Sequence, residues 1–116
     1  MQTEMLATGN CYQDAGRAVS FGPRSSWTLV HGRPRLRRPP YVRYGHAWLE
    51  NPAGDTCWDP VTDIEMPRRL YYDLGEIRPE QTFRYGRVDA FRWITQTRHW
   101  GPWQGPEACP PLEEEE

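Results

Sequence analysis

The run RYGHAWLENPAGDTCWDPV, residues 43–61, limits the fold more than any other part of the chain. Its centre, NPAGD, is built from residues that turns prefer, and its flanks RYGHAWLE and TCWDPV read as strands, so the whole is a β-hairpin. Alternation assigns the faces. On the first strand His46, Trp48 and Glu50 point one way and Ala47 and Leu49 the other; on the second, Cys57 and Asp59 share a face opposite Trp58. Paired strands bring cross-strand side chains to within about 5 Å. A histidine and an aspartate 13 residues apart in sequence can therefore meet in space. Glu50, on the His46 face but further out, is expected in solvent.

The rest of the chain supplies what must cover that hairpin. At 116 residues there is room for one core, and a domain of this size buries roughly two-thirds of the surface its unfolded chain exposes. Six Trp, six Tyr and three Phe make that core aromatic. NCYQDAGRAVSF predicts a helix over about 11–20, with Asn10 as N-cap, FGP as its stop and Cys11 at its N-terminus. SWTLVHG predicts a strand over 27–31, with Trp27, Leu29 and His31 on one face. MPRRLYYDLGEI is either a short helix opening at Pro67 and ending at Gly75 or an aromatic-anchored loop. A later helix is expected over about 88–98, with Val88, Phe91, Ile94 and Thr95 as its apolar face. The expected fold is α+β: an N-terminal Cys-bearing helix packed on a small antiparallel sheet, with a later C-terminal helix. One domain is expected over 1–104, after a short lead-in, and a disordered Pro-rich and acidic tail over 105–116.

Charge and composition narrow the function classes. No apolar run approaches the roughly 20 residues that cross a membrane, and the opening MQTEMLATGN lacks a basic region followed by an apolar one, so a cytoplasmic protein is expected. Three cysteines cannot all pair within one chain, and in the cytosol they are thiols, ligands or packing residues. No Cys-x2-Cys pair is present, so no metal site is expected. All 14 basic residues are Arg, and Arg33, Arg35, Arg37, Arg38 and Arg43 crowd into a proline-rich loop with Tyr41 and Tyr44. Such a loop can bridge phosphates and stack on bases, although a net charge of -2 and the acidic terminus argue against a general nucleic-acid binder.

Chemistry points to Cys11, His46 and Asp59. A thiol at a helix N-terminus beside an imidazolium becomes a nucleophile, and the imidazole needs an acceptor on its second nitrogen to hold it in place. Asp59 can be that acceptor. The Cys11 backbone N–H is one donor to a developing oxyanion, and the side-chain amide of Asn10 or Gln13 is a candidate for a second. His31 could face the same cleft, and Trp48 is either packing or a substrate contact. The chemistry requires no cofactor.

GNCYQDAGRAV, YGHAWLE and CWDPVTD together resemble the core of the transglutaminase-like branch of the papain-like cysteine-enzyme superfamily. In that branch a Cys opens a helix, a His-Ala-Trp lies on the next major strand and an Asp-Pro ends the strand after it. NCY, LVHG, GHAWLE, YYDLG and GPW also resemble a group of small proteins of tailed bacteriophages. The resemblance implies a cysteine-dependent enzyme acting on a peptide, amide or isopeptide substrate in the cytoplasm, that of the host if the chain is phage-encoded. Its departures are a short chain and a glutamine, Gln13, that follows the cysteine where papain-type peptidases place theirs before it. The alternative expectation is a non-catalytic phage module that binds a host protein or nucleic acid through the Arg-rich loop.

Overall fold

In the computed structural model, which describes residues 10–112, the NPAGD turn closes through one side chain. Asn51 Oδ1 accepts the backbone N–H groups of Asp55 at 3.0 Å and Thr56 at 3.1 Å, while Gly54 takes φ 78°, a left-handed conformation that side-chain-bearing residues disfavour. Among the described residues, five strands form one antiparallel sheet: β1 (Thr28–Gly32), β2 (His46–Glu50), β3 (Thr56–Asp59), β4 (Ile64–Pro67) and β5 (Phe83–Tyr85). Their spatial order is β4-β3-β2-β1-β5, which makes the first hairpin strand the centre of the sheet.

Three helices, α1 (Asn10–Phe21), α2 (Arg68–Gly75) and α3 (Arg87–Thr97), cover the two faces. Cys11, Tyr12, Ala15 and Val19 of α1 pack with Leu29, Ala47, Leu49 and Trp58 on one face, joined by Ala90 of α3 and by Trp103. Tyr72 of α2 packs with Val30, Trp48, Cys57 and Ile77 on the other. Every residue of β2 is consequently buried, polar ones included. The chain is α+β, with the expected N-terminal helix, antiparallel sheet and later helix.

Differences from the sequence expectations have local causes. Asn10 lies within α1 instead of capping it. The segment at 68–75 is a helix, with Pro67 as its N-cap residue. β4 and β5 were not expected: β4 is mostly exposed at the sheet edge and β5 is only three residues long, so neither carries an alternating apolar pattern. On α3 the packed stripe runs through Ala90, Trp93, Ile94 and Thr97, which leaves Val88 69% and Phe91 51% exposed.

Part of the expected tail returns to the domain. Glu107 forms an ion pair with Arg33 at 2.9 Å, the Cys109 N–H donates to the Pro102 carbonyl at 2.9 Å, and the Leu112 N–H donates to the Thr97 carbonyl at 2.8 Å. The lead-in at 1–9 and the acidic end at 113–116 lie outside the described residues. Among the described residues no helix is long and apolar enough to cross a membrane.

Candidate functional site

The hairpin register sets the central contact. Leu49 lies opposite Trp58 and Glu50 opposite Cys57, so the register carried one pair further puts Asp59 across from Trp48 and diagonal to His46. His46 Nε2–H donates to Asp59 Oδ2 at 2.8 Å, since a carboxylate can only accept. Tyr71 of α2 donates its hydroxyl to the same oxygen at 2.5 Å, and the Val61 N–H donates to Oδ1 at 2.8 Å. Burial alone would raise the Asp59 pKa, but His46, Tyr71 and Val61 together hold it below the usual carboxylate range.

Cys11 sits in the first turn of α1, 3% exposed, near enough to bear on the charge of the His46 ring. With Nε2 committed to Asp59, Nδ1 is the ring nitrogen left for sulfur. Burial pulls the His46 pKa down, yet the Asp59 hydrogen bond and the charges of Asp59 and Cys11 outweigh it and raise the value from 6.5 to about 9. The ring lies between Tyr44 and Trp48, at centroid separations of 5.8 and 6.1 Å. One close approach ties α1 to the start of β2: a Cβ on Gly45 would stand 2.4 Å from the Tyr12 hydroxyl oxygen. The residue after Cys11 thus packs on the residue before His46.

His46, Asp59 and Tyr71 line a cleft of about 370 Å³, with Tyr44 beside them and Arg35, Arg37 and Arg38 on the wall. The Arg-rich loop therefore borders the His46–Asp59 pair. Most of its cations are already engaged. Arg33 pairs with Glu107 at 2.9 Å and Arg35 with Glu76 at 3.0 Å; Arg43 donates to the carbonyls of Arg33 at 2.7 Å and Glu76 at 2.8 Å. Arg37 donates to the Leu74 carbonyl at 3.3 Å. The Arg38 carbonyl accepts the Tyr41 N–H at 2.8 Å, but among the described residues its guanidinium has no hydrogen bond or ion pair.

Other sequence candidates lie elsewhere. His31 was a candidate for the same cleft, but it pairs across the sheet with Ala47 and packs against Tyr12 of α1 instead. There it is caged by Tyr12, Tyr85 and Trp103 at 4.9 to 5.1 Å, and burial lowers its pKa to about 3. It is a neutral core residue. Trp48 is fully buried and donates its indole N–H to Glu50 Oε2 at 3.1 Å, which makes it packing and not a cleft contact. Gln13 is half-buried and Asn10 exposed, and neither lines the cleft.

Glu50, expected in solvent, is wholly buried, because β2 is covered on both faces. Burial favours its neutral form, but Arg84 and Tyr72, whose hydroxyl donates at 2.5 Å, join Trp48 in holding it below the usual carboxylate range; Arg68 adds a contact at 3.2 Å. Beside it, burial and the Glu50 charge push the Cys57 thiol up to about 12, which removes it as a nucleophile near neutrality. Tyr71 is the site residue that sequence reasoning did not assign. Its only signal was the aromatic pair in YYDLG, which says nothing about Asp59 on the neighbouring strand.

Comparison with protein-family models, with curated proteins and with solved structures finds no match to this chain. Among the described residues, no group of three or more His, Cys, Asp and Glu side chains is arranged to hold a metal ion.

Proposed function

We propose that the chain is a cysteine-dependent acyl-transfer enzyme of the cytoplasm, that of a host cell if it is phage-encoded, with Cys11, His46 and Asp59 as its triad. The observation that carries this reading is the buried His46–Asp59 pair, joined at 2.8 Å beside a cleft, with Nδ1 of the ring left over and Cys11 acting on its charge. Cys11 reacts as the thiolate of an ion pair with the His46 imidazolium, and the thiolate attacks the acyl carbon of an amide, isopeptide or thioester. The tetrahedral oxyanion collapses, His46 returns the proton to the leaving amine or thiol, and a Cys11 thioester remains. Water or an amine then attacks this thioester, losing its proton to His46, and Cys11 is released. Asp59 keeps the ring oriented and stabilises the imidazolium. No cofactor enters these steps.

The 3% exposure of Cys11 sets the sharpest requirement on the proposal, because a substrate must reach a sulfur covered in the resting fold. Local opening around Cys11 is therefore part of this reading. Incubation with p-nitrophenyl acetate, followed by peptide mapping, tests it. An acetyl group on Cys11 that disappears in His46→Ala is the expected result; acetylation that is absent, or equal in both proteins, refutes the reading.

A second reading, a binding module without catalysis, draws on the loop itself, where Tyr41 is 53% exposed and its N–H donates to the carbonyl of Arg38, whose guanidinium is unpaired among the described residues. Cys11→Ala separates the two readings: loss of acylation with partner binding unchanged belongs to an enzyme. A biological effect that survives Cys11→Ala but is lost on neutralising Arg37 and Arg38 belongs to a module.

A further inference from the structure

The cleft beside His46 carries a charge asymmetry that the triad does not use. Among its described lining residues the sole carboxylate is Asp59, and both Asp59 oxygens are already engaged by His46, Tyr71 and the Val61 N–H. The cations of the same wall differ in how far they are committed. Arg35 is neutralised by Glu76, and Arg37 spends one donor on a carbonyl. The Arg38 guanidinium is neither paired nor hydrogen-bonded among the described residues, although Arg38 borders the same space as His46. Its charge reaches inward, acting on the Tyr44 hydroxyl in opposition to that of Asp59. Opposite these polar groups, Ile64, Met66, Leu74 and Ile77 line the cleft with aliphatic surface.

We propose that Arg38, with the remaining donors of Arg37, forms a carboxylate subsite, so that the preferred acyl donor is acidic and joins a carboxylate to the scissile acyl group through an apolar arm. This rests on Cys11 being the nucleophile. A guanidinium suits the role because its planar array of N–H groups matches the two oxygens of a carboxylate. The aliphatic wall takes the arm, and the carboxylate stops at the mouth, where Arg38 keeps contact with water and pays little desolvation.

The test uses two thiol-reactive probes of nearly equal size that differ in charge, the anionic N-iodoacetylglutamate and the neutral N-iodoacetylglutaminamide. Second-order labelling rates at Cys11 are read by mass spectrometry in the wild type, in Arg38→Gln and in Arg92→Gln, an exposed α3 substitution that removes the same formal charge. The His46 imidazolium attracts any anion, so the readout is the change in the ratio of the two rates. Arg38→Gln is expected to lower the anionic-to-neutral ratio about threefold, the size of one exposed ion pair. The neutral-probe rate should stay constant, Arg92→Gln should leave the ratio unchanged, and added salt should erase the difference. A ratio that is the same in Arg38→Gln as in the wild type, or that falls equally in Arg92→Gln, overturns the subsite and leaves the nucleophile standing. Failure of both probes to label Cys11 in the wild type overturns the nucleophile, and the subsite with it.

Discussion

Replacing Asp59 by Asn keeps the shape of the side chain and removes the charge that holds His46 protonated. The His46 pKa rises from 6.5 to about 9 in the fold, and at 1.36 kcal/mol per unit this is on the order of 3 kcal/mol in favour of the imidazolium. Burial stays in the variant and acts in the opposite direction, while Cys11 still acts in favour of the charge, so His46 in Asp59→Asn should titrate well below the wild-type value of about 9. The sign for stability follows from linkage. A group raised in the folded state contributes fully below its unfolded value, here 6.5, and loses that contribution as pH rises through about 9. Asp59, lowered from 3.8, contributes above that value and loses its contribution as pH falls through its folded pKa. Both statements describe one ion pair. The stability difference between wild type and Asp59→Asn should therefore be greatest between pH 3.8 and 6.5 and shrink above about 9. Imidazole resonances followed by NMR against pH, with urea unfolding at pH 6 and pH 10, measure both effects. His31, lowered to about 3, stays silent through the neutral range and does not confuse the assignment. A wild-type His46 titrating near 6.5, or an unchanged His46 in Asp59→Asn, refutes the reasoning.

Glu50→Gln should destabilise the fold by about 1.5–3 kcal/mol, because it weakens the charge-assisted hydrogen bonds that Arg84, Arg68, Tyr72 and Trp48 donate to the buried carboxylate, while the two partly exposed guanidinium groups stay solvated; a urea unfolding loss below about 1 kcal/mol contradicts this. Gly45→Ala drives a methyl group into the Tyr12 hydroxyl, with an expected loss of about 1–3 kcal/mol, and Tyr12→Phe in the same chain should recover part of it. Tyr71→Phe removes the hydroxyl bound to Asp59 Oδ2 and should cost about 1.5–3 kcal/mol in thermal unfolding, the worth of a hydrogen bond to a charged group.

The hairpin and its faces were legible because a strand alternates with period two and NPAGD is strong turn chemistry, so the meeting of His46 and Asp59 followed from spacing. The Cys11 helix and the faces of β1 were legible for the same reason, each carrying its own local period. What could not be read depends on distant partners. Glu50 looks like a solvated strand end until Arg68 and Arg84, 18 and 34 residues away, converge on it. His31 looked available to the cleft until β1 paired with β2 and turned it toward α1. The inward side of α3 was misread because the spacing of Val88, Phe91 and Ile94 competes with a second stripe through Ala90 and Trp93, and only packing chooses between them. Tyr71 reaches Asp59 only because β4 and α2 fold back beside β3, and β4 has no apolar pattern to announce it.

The most direct test of the paired Cys11 and His46 is the pH dependence of iodoacetamide alkylation, resolved at Cys11, Cys57 and Cys109 by mass spectrometry in the wild type and in His46→Ala. Selective labelling of Cys11 below about pH 7, abolished in His46→Ala with Cys57 unreactive throughout, is the outcome this account predicts. Labelling of Cys11 that rises only around the free-thiol value of about 8.5, and identically in both proteins, would contradict it.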